Sequence, residues 1–138
     1  MKSIQEIEQE IIEEFEVYDD WMDKYEYIIE LGKDLPLIDA QYKTDDKLIK
    51  GCQSRVWVHA EKVSDKLVFT ADSDAIITKG VIALLIRVLS NQEPKDIATA
   101  ELSFIKKIGL QEHLSPTRAN GLVSMINKLK LYAISNAA

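Results

Sequence analysis

Among the side chains capable of covalent chemistry, one thiol stands apart. Cys52 is the sole cysteine of the 138-residue chain, set in Lys50-Gly51-Cys52-Gln53-Ser54. A thiolate attacks sulfur or carbon. With no second cysteine there is no intrachain disulfide, and a two-thiol redox centre lacks its resolving partner. A zinc or iron–sulfur site built on several thiolates of this chain is excluded for the same reason. A Cys–His hydrolase needs a base, and the histidines are His59 and His113. On a straight strand His59 lies far from Cys52 and on the opposite face, while His113 comes near only through folding. What remains chemically is a thiol that needs no second residue of its own kind, a carrier that takes a group from another protein. The alternative is a small buried hydrophobe, the usual state of a free cysteine.

Other residues rank behind it. Arg118 falls between Met125 and Leu129 on the wheel of the last helix, on its apolar side. An inward arginine needs a partner: it lowers the pKa of a nearby thiolate or persulfide, snorkels, or pairs with an aspartate. Asp72 and Asp74 precede a helix, where capping outweighs acid–base work. Trp57 has no local feature that decides between packing and partner contact.

These residues need elements to position them. Ser3 with Glu6 is a capping box, and Ile4, Ile7, Ile11 and Phe15 share a side of the helix that follows. Asp19-Asp20 interrupts it and caps a second helix, about Trp21 to Leu31, with Gly32 and Leu35-Pro36 as its stop. Residues 37–50 read as a loop with a short strand near Leu48-Ile49. From Ser54 to Lys62 the chain alternates: Val56, Val58 and Ala60 on one face, Arg55, Trp57, His59 and Glu61 on the other. Cys52 shares the parity of Val56 and Val58, which leans the thiol toward the core. A turn at Ser64-Asp65-Lys66 and a strand over Leu67–Ala71 complete an antiparallel hairpin. Asp72-Ser73-Asp74 then caps a helix over Ala75–Ser90, apolar nearly all round except for Lys79, Arg87 and Ser90, and hence central. Short helical pieces start at Pro94 and near Leu102–Ile108, ended by Gly109. Ser115-Pro116 opens the last helix, which runs to about Ser135 on a core stripe of Leu122, Met125, Ile126, Leu129 and Ala133. The expectation is one α+β domain over residues 1–138, a small antiparallel sheet packed against several helices.

Composition bounds the function. Lys and Arg number 17 against 23 Asp and Glu, a net charge of −6, which disfavours nucleic-acid binding. The first 34 residues carry net −9 and the remainder net +3, so the opening helices present an acidic surface. That surface is either a solvated face or a steering surface for a basic partner. The most apolar stretch, Ile76–Leu89, is too short to cross a bilayer and contains Lys79 and Arg87. The opening MKSIQEIEQEII lacks a signal core. The expectation is a cytoplasmic protein with no membrane partner.

Gly51-Cys52-Gln53-Ser54-Arg55-Val56-Trp57 resembles the GCQSxVW signature of the SufE family, sulfur acceptors that work with cysteine desulfurases. Lys24-Tyr25-Glu26-Tyr27-Ile28-Ile29-Glu30-Leu31-Gly32 with Leu35-Pro36 is similar to that family's KYxYIIELG segment. Asp72-Ser73-Asp74 with Lys79-Gly80 is similar to its DSD…KG segment. His113-Leu114-Ser115-Pro116-Thr117-Arg118, with Gly121, Leu122 and Met125, resembles its ending. The blocks follow in the family's order along most of the chain. The resemblance implies an IscU/SufE-like fold and a non-enzymatic carrier with no cofactor of its own. On that implication Cys52 takes sulfane sulfur as a persulfide from a SufS- or CsdA-like desulfurase, whose pyridoxal phosphate stays with that partner. The protein then stimulates the desulfurase and passes sulfur to the iron–sulfur scaffold machinery. Both the SufE branch and its relative CsdE, which serves a different desulfurase, fit. Gly51, Gln53, Asp74 and Arg118 are the implied supporting or partner-contact residues, and Cys52 is expected to swing between sheltered and exposed positions. The rival readings are an iron–sulfur scaffold completed by a dimer or partner, a cysteine hydrolase using His113, and an inert interaction domain.

Overall fold

The computed structural model describes residues 2–52 and 54–136. Gln53, one of the implied supporting residues, lies outside them. Helix α1 (Ile4–Glu16) opens on the expected capping box, Ser3 with Glu6. It buries Ile4, Ile11 and Phe15, and also Glu8, whose carboxylate accepts the Phe104 N–H at 3.0 Å. Helix α2 (Trp21–Gly32) is capped by Asp20. A segment with two 3-10 turns, Ala40–Tyr42 and Asp45–Lys47, leads to the hairpin. The strand expected near Leu48-Ile49 is reduced to a bridge, Leu48 opposite Trp57, with Ile49 N–H donating to Val56 O at 2.8 Å.

Strands β1 (Val56–Val63) and β2 (Lys66–Ser73) pair antiparallel, Val56 opposite Ser73 through Val63 opposite Lys66. Val56, Val58, Leu67, Phe69 and Ala71 are fully buried. A two-stranded sheet is marginal alone; this one is covered on both faces. Helix α3 (Ile76–Leu89) packs on β2. On the other side Tyr42 stacks on His59, ring centroids 3.8 Å apart, and Lys43 lies over Trp57.

The remaining helices are α4 (Pro94–Ala98), α5 (Phe104–Lys107), α6 (Leu110–His113) and α7 (Pro116–Ser135). Pro116 sits at the first position of α7 and Ser115 accepts the Arg118 N–H, as the sequence predicts. Leu122, Met125, Leu129 and Ala133 are buried, with Ile126 partly so. The architecture is α+β.

One local expectation is overturned. Asp72 and Asp74 do not cap α3. Ala75 holds the cap position with no side-chain bond, because β2 continues to Ser73 and sends both carboxylates elsewhere. Gly32 ends α2 as the sequence predicts, though without a left-handed turn. It is the last helical residue, followed by right-handed Lys33, and its lack of a side chain serves contact with α3. A Cβ at Gly32 would lie 2.9 Å from Gly80 N, and one at Gly80 only 2.1 Å from Ile28 O. The two backbones touch where both residues are glycine.

Beside that contact, Arg87 of α3 donates to Glu14 of α1, with one bond of 2.8 Å, and Tyr27 of α2 donates to the same carboxylate. The Arg87 hydrogen bonds hold Glu14 below the usual carboxylate range. Burial and the Glu14 carboxylate push the Tyr27 phenol up to about 12. Three helices thus meet on one ion pair, about one-third exposed on either side.

Gly80→Ala should force α2 away from α3 and destabilise the fold by about 3 kcal/mol or more, the upper end of overpacking costs. Urea unfolding followed by far-UV circular dichroism reads this directly, and an unchanged midpoint would contradict the close contact.

Candidate functional site

The Cys52 loop leaves the core at Ile49 and returns at Val56. Its base is fastened twice. Ile49 N–H donates to Val56 O, and Asp74 clasps Arg55 from both sides: Asp74 Oδ1 accepts the Arg55 N–H at 3.0 Å while Asp74 N–H donates to Arg55 O at 3.2 Å. Asp74 is therefore a clamp on this loop. Asp72 bonds Lys43 at 2.5 Å and faces Lys79 at 3.4 Å. Burial works to raise its pKa, but bonds from Lys43 and the Ser73 N–H, with the two lysine charges, outweigh it and hold the carboxyl below its ordinary value.

At the tip, Gly51 has φ +93°, in the left-handed region where a side chain is strained. A Cβ there would also lie 2.5 Å from Ser124 Oγ of α7. The turn carries Cys52 inward. Its thiol is half-buried and lies 3.6 Å from Gly121 O as a sulfhydryl donor. Burial pushes the Cys52 thiol above the ordinary value of 9.0.

Sγ borders a cavity of about 60 Å³ lined by Cys52, Ser54, Ile77, Thr78, Val81 and Arg118, among others. Its walls come from the loop, the first turns of α3, and the start of α7. A volume on this scale admits one small polarisable group beyond the thiol. Thr78 is buried, and with Ser54, Thr117 and Arg118 it sets polar atoms beside the aliphatic side chains of Ile77, Val81, Leu114 and Met125.

Arg118 is not aimed into the core. It is exposed, and its guanidinium donates to Tyr25 Oη at 3.2 Å. It sits in the first turn of α7, beyond the layer that buries Leu122 and Met125, so its side chain reaches the cavity rim instead. It is thus a cation on the same cavity as Cys52, held by α2.

Neither histidine joins the site. His113 stacks on Trp21 at 4.3 Å, and its Nδ1 is 2.8 Å from Gly109 O. His59 lies under Tyr42, with Nε2 3.7 Å from a Glu61 carboxylate oxygen. Trp57 packs under Lys43. The folding contact that a Cys52–His113 hydrolase requires does not form. Among the described residues, no group of three or more His, Cys, Asp or Glu side chains comes together as a metal site.

The structure brings Gly51, Cys52, Asp74 and Arg118 to one loop and its surroundings. Tyr25, Thr78 and Ser124 join them without having been singled out in the sequence. Only the position of Ser124 three residues after Gly121, on the same helix face, offered a signal for it.

A model of the SufE family, described as an Fe-S metabolism associated domain, matches residues 9–133. The chain belongs to the SufE family. An uncharacterized SufE-like protein of Rhizobium meliloti is 40% identical over 126 residues, covering 88% of this chain and 90% of that protein. SufE-like protein 1 of Arabidopsis thaliana, named as chloroplastic/mitochondrial, is 38% identical over 127 residues, covering 91% of this chain but 34% of the plant protein. A solution structure of a hypothetical protein from Thermus thermophilus superposes with a TM-score of 0.78. It covers 94% of this chain and 95% of that one at 19% identity, so it speaks for the fold alone. A role associated with iron–sulfur metabolism therefore attaches to this SufE-family chain. No helix among the described residues is long and apolar enough to cross a membrane.

Two outcomes follow for this SufE-family site. The alkylation rate of Cys52 should climb with pH through a midpoint above that of a free thiol, and the midpoint should fall to the free value in denaturant. Asp74→Ala removes the side-chain half of the clamp on Arg55. Loss of one such bond costs about 1 kcal/mol, or roughly fivefold in Cys52 alkylation rate at neutral pH if the loop opens correspondingly more often. Iodoacetamide labelling followed by mass spectrometry measures both; an Asp74→Ala rate equal to wild type would remove the clamp from the site.

Proposed function

We propose that this protein is a sulfur acceptor and activator of a cysteine desulfurase, with Cys52 as the receiving atom, and that it passes the sulfur on for iron–sulfur cluster assembly. The observation that carries this reading is a lone thiol bordering a small cavity of mixed polar and aliphatic lining, with a cation on the rim and no imidazole or second thiol in its lining.

The step needs no outside oxidant. The Cys52 thiol first gives up its proton. The thiolate attacks the outer sulfur of a donor persulfide, R–S–SH; a new S–S bond forms, the donor's S–S bond breaks, and R–S⁻ leaves with the electron pair. The outer sulfur stays in the sulfane state and now sits on Cys52 as –S–SH. The acceptor's S–S bond is as good as the donor's, so the transfer is reversible and is driven by removal of product.

In the closed loop the thiol is poorly placed for this. Half-buried, engaged with Gly121 O and with its pKa raised, it is a weak nucleophile. The loop tip must open to receive sulfur. Once it closes again, the cavity gives the second sulfur a space screened from thiols and oxidants. Arg118 contributes positive charge to the rim, which favours an anionic thiolate or persulfide there. The donor's pyridoxal phosphate generates its persulfide, and nothing in this chain's site is asked to bind that group.

A scaffold function requires several ligands from the chain or its partners, and Cys52 stands without other ligating side chains in its cavity lining. The acceptor reading needs only what is present.

Incubation with a pyridoxal-phosphate cysteine desulfurase and L-cysteine should add the mass of one sulfur atom to the intact protein, mapping to Cys52 and absent in Cys52→Ser. Sulfur found on other side chains, or none on wild type while the desulfurase turns over, would overturn the proposal.

A further inference from the structure

The loop that carries Cys52 is held unevenly. Its base is fixed by backbone pairs at Ile49–Val56 and by the Asp74–Arg55 clamp. Among the described residues its tip is held by a long S–H···O contact of 3.6 Å and by fit against α7. That fit involves two positions on one face of the helix, Gly121 and Ser124. The absent Cβ of Gly121 leaves a site 3.4 Å from Cys52 Sγ and 3.8 Å from its Cα. Ser124 Oγ lies 2.5 Å from where a Gly51 Cβ would be, and Ser124 Cβ lies 3.4 Å from the same point. Gly51 and Ser124 are therefore already at close packing, and any bulk added at position 124 competes with the Gly51 backbone for the same space.

The competition has a defined direction. Helix α7 is anchored by Leu122, Met125, Leu129 and Ala133 in the core and does not yield. Among the described residues the tip has one weak polar contact with it. Bulk at 124 therefore displaces the tip, and displacement of the tip carries Sγ away from Gly121 O and out of the cavity.

We propose that Ser124 is a positioning residue for sulfur transfer: its small side chain is the seat on which the Gly51–Cys52 tip closes, and the size of residue 124 sets the ratio of sheltered to exposed thiol. The inference rests on Cys52 being the sulfur acceptor. Ser124 itself touches neither donor nor cargo. It acts through Gly51, by fixing where the tip comes to rest.

The test uses Ser124→Val. A β-branched side chain in a helix has one strongly preferred rotamer, so its second γ-methyl cannot swing clear of Gly51. Cys52 alkylation by iodoacetamide is measured on the isolated protein across pH 7–10, with far-UV circular dichroism and thermal melting as the check on folding. A shift from a mostly closed to a half-open loop raises the rate about fivefold or more at neutral pH, and the midpoint of the pH profile moves down toward that of a free thiol. A general loss of stability does not reproduce that profile in protein shown to be folded. Asn127→Val, on an exposed position further along the same helix, should alkylate like wild type. If Ser124→Val does not fold, Ser124→Thr, which has the same branched shape but divides between two rotamers in a helix, should shift rate and midpoint in the same direction by a smaller amount. Folded Ser124→Val, or failing that folded Ser124→Thr, with wild-type rate and midpoint overturns the proposal. So does an equal shift in Asn127→Val. Loading with the desulfurase and L-cysteine separates this from the reading beneath it. Wild type that takes no sulfur on Cys52 refutes the acceptor function whatever the alkylation shows. If wild type does load, the persulfide on Ser124→Val should be stripped by dithiothreitol about fivefold faster than on wild type; equal lifetimes overturn the seat alone.

Discussion

Everything about the Cys52 cavity depends on two helix backbones lying against each other. Gly80 of α3 meets the Ile28 carbonyl of α2, and Gly32 meets Gly80 in return. Close approach without side chains lets α3 sink between α2 and the hairpin until ten of its fourteen residues are buried, far more than an amphipathic surface helix hides. The first turns of α3 supply Ile77, Thr78 and Val81 to the cavity. The same contact brings Tyr25 of α2 within reach of Arg118 on α7. A side chain at either glycine would separate the helices and leave the thiol without a floor.

Short-range signals were legible in the sequence, and they were legible because their physics is local. The Ser3–Glu6 capping box, the Asp20 cap and the Ser115-Pro116 start each involve groups within one helical turn. The two faces of the first strand followed from strict alternation of Val56 and Val58 with Trp57 and His59. The thiol was legible too, since solitude and a neighbouring glycine are properties of the chain itself. Read by spacing alone, however, Asp72-Ser73-Asp74 was a helix cap. Such a tripeptide serves equally well at the end of a strand, and the choice was made by β2 continuing two residues further than its apolar pattern suggested.

What stayed hidden depends on distant partners. Arg118 meets Tyr25 across 93 positions and Glu8 meets Phe104 across 96; no periodicity announces such pairs. Glu8 lies on a helix face that the pattern Ile4, Ile7, Ile11, Phe15 makes apolar, and it is accepted there because it satisfies the first N–H of α5, a buried donor that would otherwise go unpaired. Gly32 showed that a residue can be right for two reasons. A glycine near a helix end suggests a left-handed stop, yet here the conformation is right-handed and the benefit is space. His59 and His113 were both available as bases in the sequence, and aromatic stacking on Tyr42 and Trp21 assigns both to packing.

The oxygen opposite Cys52 Sγ is a main-chain carbonyl, and a carbonyl offers lone pairs only. It welcomes a sulfur that brings hydrogen and repels one that carries negative charge. The resting arrangement therefore favours the neutral form of the side chain over the anion at that oxygen. On the proposed acceptor function, becoming nucleophilic and becoming reachable would then go together. A visiting protein that merely accepts a proton at the rim would draw the reactive form toward itself, and in its absence the idle form would be restored without any dedicated switch.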